Sequence, residues 1–116
     1  MRREFIYMTT VRRSWALMGV NDDDLKQLEQ ALLENPQKGD VIEGTGGARK
    51  LRIQLGNRGK SSGGRIIYLD IYETSHLYLL FAYPKNVQSD LSSEQRQLIR
   101  KMINEIKKGE STWTTS

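Results

Sequence analysis

The stretch GRIIYLDIYETSHLYLLFAY, residues 64–83, contains two runs of β-branched, aromatic and aliphatic residues on either side of Glu73–Ser75. Residues of these types favour strands, and a short polar interruption between two such runs is typical of a hairpin. The two strands predict the centre of a small, mostly antiparallel sheet.

Toward the N-terminus, the sequence predicts one more strand and a first helix. Residues 4–8, EFIYM, have the aromatic and β-branched composition of a short strand. In the segment that follows, apolar residues recur at helical spacing, and Thr9 or Thr10 can cap the helix at its start. Gly19 lies where a C-cap glycine would end this helix.

The same helical periodicity predicts a second helix and a closing helix. Asn21 or Asp22 can cap the second helix, whose leucines form an apolar stripe before Asn35-Pro36 stops it. Residues 91–108, LSSEQRQLIRKMINEIKK, begin with serines that can cap a helix and continue with one apolar face.

A basic strand is predicted between the second helix and the hairpin. Residues 48–55, ARKLRIQL, mix apolar side chains with Arg49, Lys50 and Arg52, which is typical of a half-buried strand with a cationic face. The order is then β-α-α-β-β-β-α, an α+β fold with helices packed on one face of the sheet and the basic strand on the open face. We expect one domain over residues 1–108 and a flexible C-terminal tail over 109–116.

The composition limits the class of protein. At 116 residues the chain has the length of a single domain. No apolar run approaches the roughly 18 residues of a membrane-spanning helix, and the charged start MRREF lacks the apolar stretch of a signal peptide. We therefore expect a cytoplasmic protein that does not engage membranes. Because cysteine is absent, disulfides, thiolate nucleophiles and cysteine-based zinc sites are excluded.

Positive charge is concentrated in one part of the chain. The formal net charge is +4, and the segment between Gly44 and Leu69 contains no acidic residue. Its cationic residues are Arg49, Lys50, Arg52, Arg58, Lys60 and Arg65. Such a positive field is typical of a protein with a polyanionic partner, usually a nucleic acid. The alternative is a solubilising surface loop without a binding role.

Several motifs of nucleotide-binding and hydrolytic enzymes are present only in part. GKS at residues 59–61 resembles the end of a P-loop, but Gln54 stands where the motif needs glycine and a strand follows. GTGG at 44–47 also precedes a strand, so its glycines favour a tight turn and a close approach of backbone to ligand rather than a dinucleotide fingerprint. His76 has no partner at metal-ligand spacing, and the acids at 22–24 fit a helix start. We expect no metal or cofactor.

Four motifs follow one another along the chain. They are NPxxGDVIxGTGGxRKLR at 35–52, GxRIIY at 63–68, YLLxxYxKN at 78–86 and DLSSE at 90–94. Together they resemble the RelE/HigB-like ribosome-dependent mRNA interferases, with similarity from Phe5 to Lys107. The resemblance implies a toxin that binds the A site of the 70S ribosome, cuts mRNA there, and is neutralised by a cognate antitoxin, often one with a helix-turn-helix domain.

The resemblance also implies catalytic residues. Lys50 and Arg52 match the alternating basic pair on the family's second strand, and Arg65 matches the arginine that opens its third strand. Lys85 matches a basic position after the last strand.

Two positions depart from the family pattern. Asn86 stands where RelE has a catalytic arginine, and Ser92 stands where RelE has a tyrosine. The general acid and general base are therefore open, and Lys85 or Tyr83 can take over one of these roles.

The remaining residue types support a metal-free cleavage of RNA, in which the 2′-hydroxyl attacks the adjacent phosphate. A guanidinium fork holds two phosphate oxygens and stays charged, so we predict that Arg52 and Arg65 stabilise the phosphate. A lysine acts as a base only where neighbouring like charges lower its pKa. Lys50 is the first candidate for the base and Lys60 the second.

The other basic and aromatic residues are assigned to RNA contacts. Tyr83 can stack on a splayed base or relay a proton, and the alternative is a rim residue that packs on a neighbouring loop. Arg49, Arg58 and Lys60 are predicted to bind RNA phosphates through salt-sensitive contacts.

Two other functions remain open. In the first, Asn86 and Ser92 mark a catalytically weakened module of the same fold that binds RNA, the ribosome or an antitoxin without cleaving. In the second, the cationic side of the predicted sheet binds an acidic segment of the antitoxin and has no other role.

Overall fold

The computed structural model describes residues 2–54 and 63–114, in which the apolar periodicity of the sequence is expressed as strands and helices. In chain order the elements are β1 (Glu4–Tyr7), α1 (Thr9–Met18), α2 (Asp22–Glu34), β2 (Asp40–Val41), β3 (Arg49–Ile53), β4 (Gly64–Ile71), β5 (His76–Pro84) and α3 (Ser93–Thr114). A short 3₁₀ turn, Tyr72–Thr74, joins β4 to β5.

The strands form one mixed sheet in the order β1-β5-β4-β3-β2. β1 runs parallel to β5, and every other pair of neighbours is antiparallel. The predicted α+β fold, with a mostly antiparallel sheet around the β4–β5 hairpin, is therefore confirmed. The sequence does not predict β2, because a strand of two residues is too short to show a period of two.

The helices cover both faces of the sheet, and the prediction that they pack on one face is wrong. Residues 66–69 of β4 are all buried. Ile66 and Tyr68 pack with the buried residues of α1 and α2, whereas Ile67 and Leu69 pack with those of α3. Alternate strand residues point to opposite faces, so a strand without polar alternation needs a cover on each side.

The start of α1 differs from its prediction, while its end agrees. Met8 occupies the N-cap position without a side-chain hydrogen bond, so neither threonine caps the helix. Thr10 lies inside α1, where its Oγ1 donates to the carbonyl of Leu80 on β5. This bond ties α1 to the sheet. Gly19 ends the helix in the left-handed conformation, as predicted.

Reciprocal hydrogen bonds cap the other two helices. At α2, Asn21 Oδ1 accepts from the Asp24 N–H at 2.8 Å, and the Asp24 carboxylate accepts from the Asn21 N–H at 3.0 Å. At α3, Ser92 Oγ accepts from the Gln95 N–H at 3.1 Å, and Gln95 Oε1 accepts from the Ser92 N–H at 2.9 Å. Both arrangements are capping boxes, which satisfy donors that a helix start leaves free.

Glu110, near the end of α3, is 6% exposed and anchors the helix to the sheet. Its carboxylate accepts from Thr74 Oγ1 and from Tyr78 Oη at 2.5 Å, and it lies 2.8 Å from His76 Nδ1. The helix thus continues beyond residue 108, where the sequence predicts the start of a tail. Neither α3 nor any other helix in the described ranges has the length and apolar character to cross a membrane.

The turn before β2 is held by one buried hydroxyl. Tyr68 Oη donates to the Pro36 carbonyl at 2.8 Å and accepts from the Gly39 N–H at 2.9 Å. A Cβ at residue 39 would lie 2.8 Å from the Lys50 carbonyl oxygen, so only glycine fits there. The NPxxGD motif is therefore a tight turn closed against β3 and β4.

We predict that Tyr68→Phe destabilises the fold by about 1–3 kcal/mol, because the buried Gly39 N–H loses its acceptor. The measurement is urea unfolding followed by circular dichroism. Tyr72→Phe is the matched control, since the Tyr72 side chain is exposed. Equal stabilities for the two variants would contradict the role of the Tyr68 hydroxyl.

A second prediction concerns Glu110 and pH. Burial alone would raise the pKa of Glu110, but the hydrogen bonds from Thr74, Tyr78 and His76 outweigh it and hold the pKa below its usual value. A lowered folded-state pKa stabilises the protein above the unfolded pKa of about 4.3, and this contribution is lost as pH falls through the folded value.

Glu110→Gln should therefore lower the free energy of unfolding at pH 7 by about 1–3 kcal/mol. The deficit should shrink as pH falls, because the wild-type carboxyl is protonated too. Urea unfolding between pH 3 and pH 7 measures this trend, with the exposed Glu105→Gln as control. A deficit that stays constant with pH would contradict the cause given for the lowered pKa.

Candidate functional site

The basic residues of β3 divide between the two faces of the sheet. Leu51 and Ile53 pack with the core beneath α1 and α2. Lys50 lies opposite Ile67, which belongs to the core beneath α3, so Lys50 and Arg52 share the α3 face. The strand's alternation therefore places two of its three cations on one surface.

A row of three polar side chains crosses the sheet at the end of β3. Arg52 lies directly opposite Arg65 on β4, and Arg65 lies directly opposite Tyr83 on β5. Directly opposed side chains have Cβ atoms about 5 Å apart, and like charges in such a pair are destabilising. We call Lys50, Arg52, Arg65 and Tyr83 the basic face. Its opposed arginines favour the binding of an anion that lies between them.

A bulge in β5 brings Tyr83 to this face. Ile67 pairs with Phe81, but the next residue of β4 pairs with Leu79, so Leu80 is an extra residue in β5. An extra residue reverses the alternation beyond it. Phe81 and Tyr83 are thereby placed on the side of Lys50 and Arg65, where the two rings lie 6.3 Å apart.

Tyr83 is 2% exposed, and its hydroxyl has no hydrogen-bond partner among the described residues. Buried hydroxyls are usually paired, so an unpartnered one is unusual for a folded protein. Burial, followed by the negative charge of Asp90, raises the pKa of Tyr83, although Arg65 and Arg96 act in the opposite direction. The phenol is therefore neutral at physiological pH and can donate a hydrogen bond. Its buried ring does not fit the stacking role.

An acidic side chain lies beside the basic face. Asp90 Oδ1 is 3.5 Å from Lys50 Nζ, and Asp90 Oδ2 is 3.3 Å from Arg96 Nη2 on α3. The Leu91 N–H also donates to Asp90 Oδ1 at 2.8 Å. The N–H of Leu91 is the largest cause of a lowered pKa of Asp90, and Lys50 and Arg96 add to it.

Arg49 is not brought to the basic face. Its guanidinium donates to the Gly39 carbonyl at 2.7 Å and to the Gln37 carbonyl at 3.3 Å. It therefore supports the turn before β2 on the opposite side of the sheet, and its role in RNA binding stays a prediction.

The residues after β5 lie at the margin of the face. Lys85 is exposed in a turn, and its N–H donates to the Gly63 carbonyl at 3.0 Å. Asn86 is exposed in the same turn. Ser92, the other departure from the family pattern, caps α3 through Gln95 and so has a structural task.

Two predicted RNA-binding residues, Arg58 and Lys60, lie outside the described residues. Within 2–54 and 63–114, no group of three histidine, aspartate or glutamate side chains is arranged to hold a metal ion. His76 is part of the Glu110 anchor, away from the basic face.

The glycine-rich turn at residues 44–47 serves packing. Gly44, Gly46 and Gly47 all have positive φ, as a tight turn requires. The Gly46 carbonyl accepts from Lys107 Nζ on α3 at 2.6 Å. The close approach allowed by these glycines is therefore to a helix of the same chain.

Sequence reasoning missed Asp90 and Arg96 as members of the site. Asp90 is the first residue of the DLSSE motif, which contributes to the family resemblance and to the helix start but assigns no role to Asp90. Arg96 is a cation near the N-terminus of α3, where the helix dipole disfavours positive charge, and this misplacement was a usable signal.

The fold and the basic face define a class of small α+β domain whose cationic surface is suited to a polyanion. More specifically, the chain belongs to the RelE toxin family. The family model described as "RelE toxin of RelE / RelB toxin-antitoxin system" matches residues 6–112.

Two solved structures are similar to this chain. The free state of a double-arginine mutant of the E. coli toxin RelE has 17% identity and a TM-score of 0.53, over 77% of this chain and 90% of that chain. The archaeal RelE-RelB complex from Pyrococcus horikoshii OT3 has 23% identity and a TM-score of 0.48, over 76% of this chain and 100% of that chain. The first of these shows that the fold is RelE-like.

We predict that Tyr83→Phe leaves the free energy of unfolding unchanged or raises it by about 1 kcal/mol. A buried hydroxyl without a partner loses its hydrogen bonds to water and gains none in the protein. Urea unfolding beside Tyr68→Phe measures the contrast, since the Tyr68 hydroxyl makes two bonds. A loss as large as that of Tyr68→Phe would contradict an unpartnered Tyr83 hydroxyl.

Proposed function

We propose that this chain is a metal-independent endoribonuclease that cleaves mRNA in the ribosomal A site. The observation that carries the proposal is the row Arg52–Arg65–Tyr83, in which two arginines lie directly opposite each other on neighbouring strands and Arg65 lies opposite a buried tyrosine with an unpartnered hydroxyl. RelE-family toxins are known as endoribonucleases, which gives this row an RNA phosphate as its natural ligand.

The proposed reaction is an internal transfer of the phosphodiester. The 2′-oxygen bonds to the adjacent phosphorus while the bond from phosphorus to the 5′-oxygen breaks, leaving a 2′,3′-cyclic phosphate and a 5′-hydroxyl. The 2′-hydroxyl loses a proton to a base, and the leaving oxygen gains one from an acid. Arg52 and Arg65 stabilise the charge that develops on the phosphoryl oxygens.

The protein's proton-transfer groups are assigned from their surroundings. Tyr83 has a raised pKa, so it holds its proton at neutral pH, and its proposed role as hydrogen-bond donor to the phosphate or the leaving oxygen requires the side chain to move out of its buried position. Lys50 on the same face is paired with Asp90 as a cation and is proposed to contact the phosphate, and Lys85 at the margin of the face is the proposed proton carrier. Arg49, Arg58 and Lys60 are proposed to contact RNA phosphates outside the reacting group.

The proposed partners follow from the family. The matching family description is that of the toxin of a toxin-antitoxin system, so we propose a co-encoded antitoxin, with a helix-turn-helix domain, as the partner that keeps the protein inactive. The proposed substrate is mRNA on the 70S ribosome, with ribosomal RNA phosphates held by the basic segment, in the cytoplasm and without a membrane role.

A second candidate function is a module that binds RNA, the ribosome or an antitoxin without cleaving. It is favoured by Ser92, whose hydroxyl is used to cap α3, and by Asn86, which places an uncharged side chain in the turn after β5. In this candidate the basic face binds phosphate but lacks one proton-transfer group.

The test is primer extension on an mRNA programmed into 70S ribosomes. Wild type should cut within the A-site codon, and a 2′-deoxy nucleotide at the cut position should abolish the cut, because the nucleophile is removed. Arg65→Ala and Lys50→Ala should each lower the rate about 100-fold or more. Arg13→Ala is the control, since Arg13 is exposed on α1, against the other face of the sheet.

The outcomes separate the two functions. Loss of cleavage in Arg65→Ala and Lys50→Ala with ribosome binding retained supports the nuclease. Wild-type binding without any cut supports the non-cleaving module, and cleavage of the 2′-deoxy mRNA rules out the 2′-hydroxyl mechanism.

A further inference from the structure

The carboxylate of Asp90 is fixed in place although its side chain is half exposed. The carboxylate accepts a hydrogen bond from the Leu91 N–H and pairs with Lys50 and Arg96. The backbone carbonyl of Asp90 accepts from Gln88 Nε2 at 2.8 Å. These contacts come from β3, from the segment before α3 and from α3 itself. Asp90 therefore joins three parts of the chain at the edge of the basic face.

The two ion pairs of Asp90 contribute little to stability, and the carboxylate does not favour RNA binding. Ion pairs with this degree of exposure contribute about 0–1 kcal/mol to folding, and the Asp90 side chain is 50% exposed. A carboxylate beside a phosphate-binding surface also repels the phosphate. The remaining benefit is geometric, because the carboxylate holds two flexible cationic side chains in defined positions.

Arg96 is the cation that Asp90 adds to the basic face. It lies near the start of α3, where the helix dipole opposes its charge, and Asp90 offsets this cost. The positive charges of Arg96 and Arg65 both act to lower the pKa of Tyr83. The three groups therefore share one electrostatic environment. Arg96 thus belongs to the charged surroundings of the phenol through α3, as Arg65 does through the sheet.

We infer that Asp90 is a positioning residue and that Arg96 is a further phosphate-binding residue of this site. Asp90 holds Lys50 on one side and Arg96 on the other, so that both meet the phosphate that Arg52 and Arg65 bind. The inference rests on the proposed function and deepens it. Its test therefore includes a binding measurement that does not depend on cleavage.

The first experiment compares Asp90→Asn with wild type in steady-state cleavage of mRNA on programmed 70S ribosomes. The asparagine oxygen keeps the bond from the Leu91 N–H, so only the charge is lost. We expect kcat to fall about 10- to 100-fold, because the two cations are no longer held. We expect KM to stay unchanged or to fall, because a negative charge near the phosphate is removed.

Two variants control this experiment. Glu94→Gln removes the same charge from the exposed start of α3 and should leave both parameters unchanged. Asp90→Glu keeps a carboxylate and should recover part of kcat. The idea is overturned if kcat of Asp90→Asn equals that of wild type, or if kcat rises, which would make Asp90 a competitor of the phosphate. Thermal unfolding of each variant identifies any loss caused by misfolding.

The second experiment measures binding of ribosomes that carry the uncleavable 2′-deoxy mRNA. Arg96→Gln should weaken binding and lower the slope of log K against log salt by about 1, as loss of one phosphate contact does. Arg100→Gln, one helical turn further along α3 and exposed, should change neither. Equal behaviour of the two variants overturns the assignment of Arg96.

The two experiments distinguish failure of the proposed function from failure of the inference about Asp90 and Arg96. If wild type binds but does not cut, the proposed function fails and the inference is decided by Arg96→Gln alone. If wild type neither binds nor cuts, both are overturned.

Discussion

The pairing of β4 with β5 is the interaction on which the other elements depend. β1 attaches to β5, β3 attaches to β4, and each face of the two strands is covered by a different set of helices. One extra residue, Leu80, divides β5 into two parts with opposite alternation. On both sides of the bulge β5 contributes to the cores, and beyond it Tyr83 lies on the side of the basic face. The same strand pair therefore supplies the folding core and positions the candidate chemistry.

The basic face combines features that a folding protein usually avoids. Arg52 is opposite Arg65, the hydroxyl of Tyr83 is buried without a described partner, and Arg96 lies at the unfavourable end of a helix. Each feature alone has a modest energetic cost, and elsewhere such costs are offset, as the Glu110 anchor shows. Their concentration at one end of the sheet is typical of a functional site, where local rules of stability are relaxed for binding.

Much of the fold could be predicted from the sequence because its elements carry strong periodic signals. The hairpin, the capping of α2 by Asn21 and the left-handed Gly19 all follow from local chemistry. The second helical layer was missed although the unbroken apolar run of residues 66–69 indicates burial on both faces. The sequence also does not predict the length of α3. Glu110 is held by three side chains that are distant in sequence, and no local pattern around residue 110 indicates these contacts.

Only the site residues that lie on strands could be predicted from the sequence, because the alternation of strand residues determines which face each side chain occupies. Lys50, Arg52 and Arg65 could be placed together because their spacing on paired strands puts them on one face. Asp90 and Arg96 come to that face through the segment between β5 and α3, whose path no periodicity predicts.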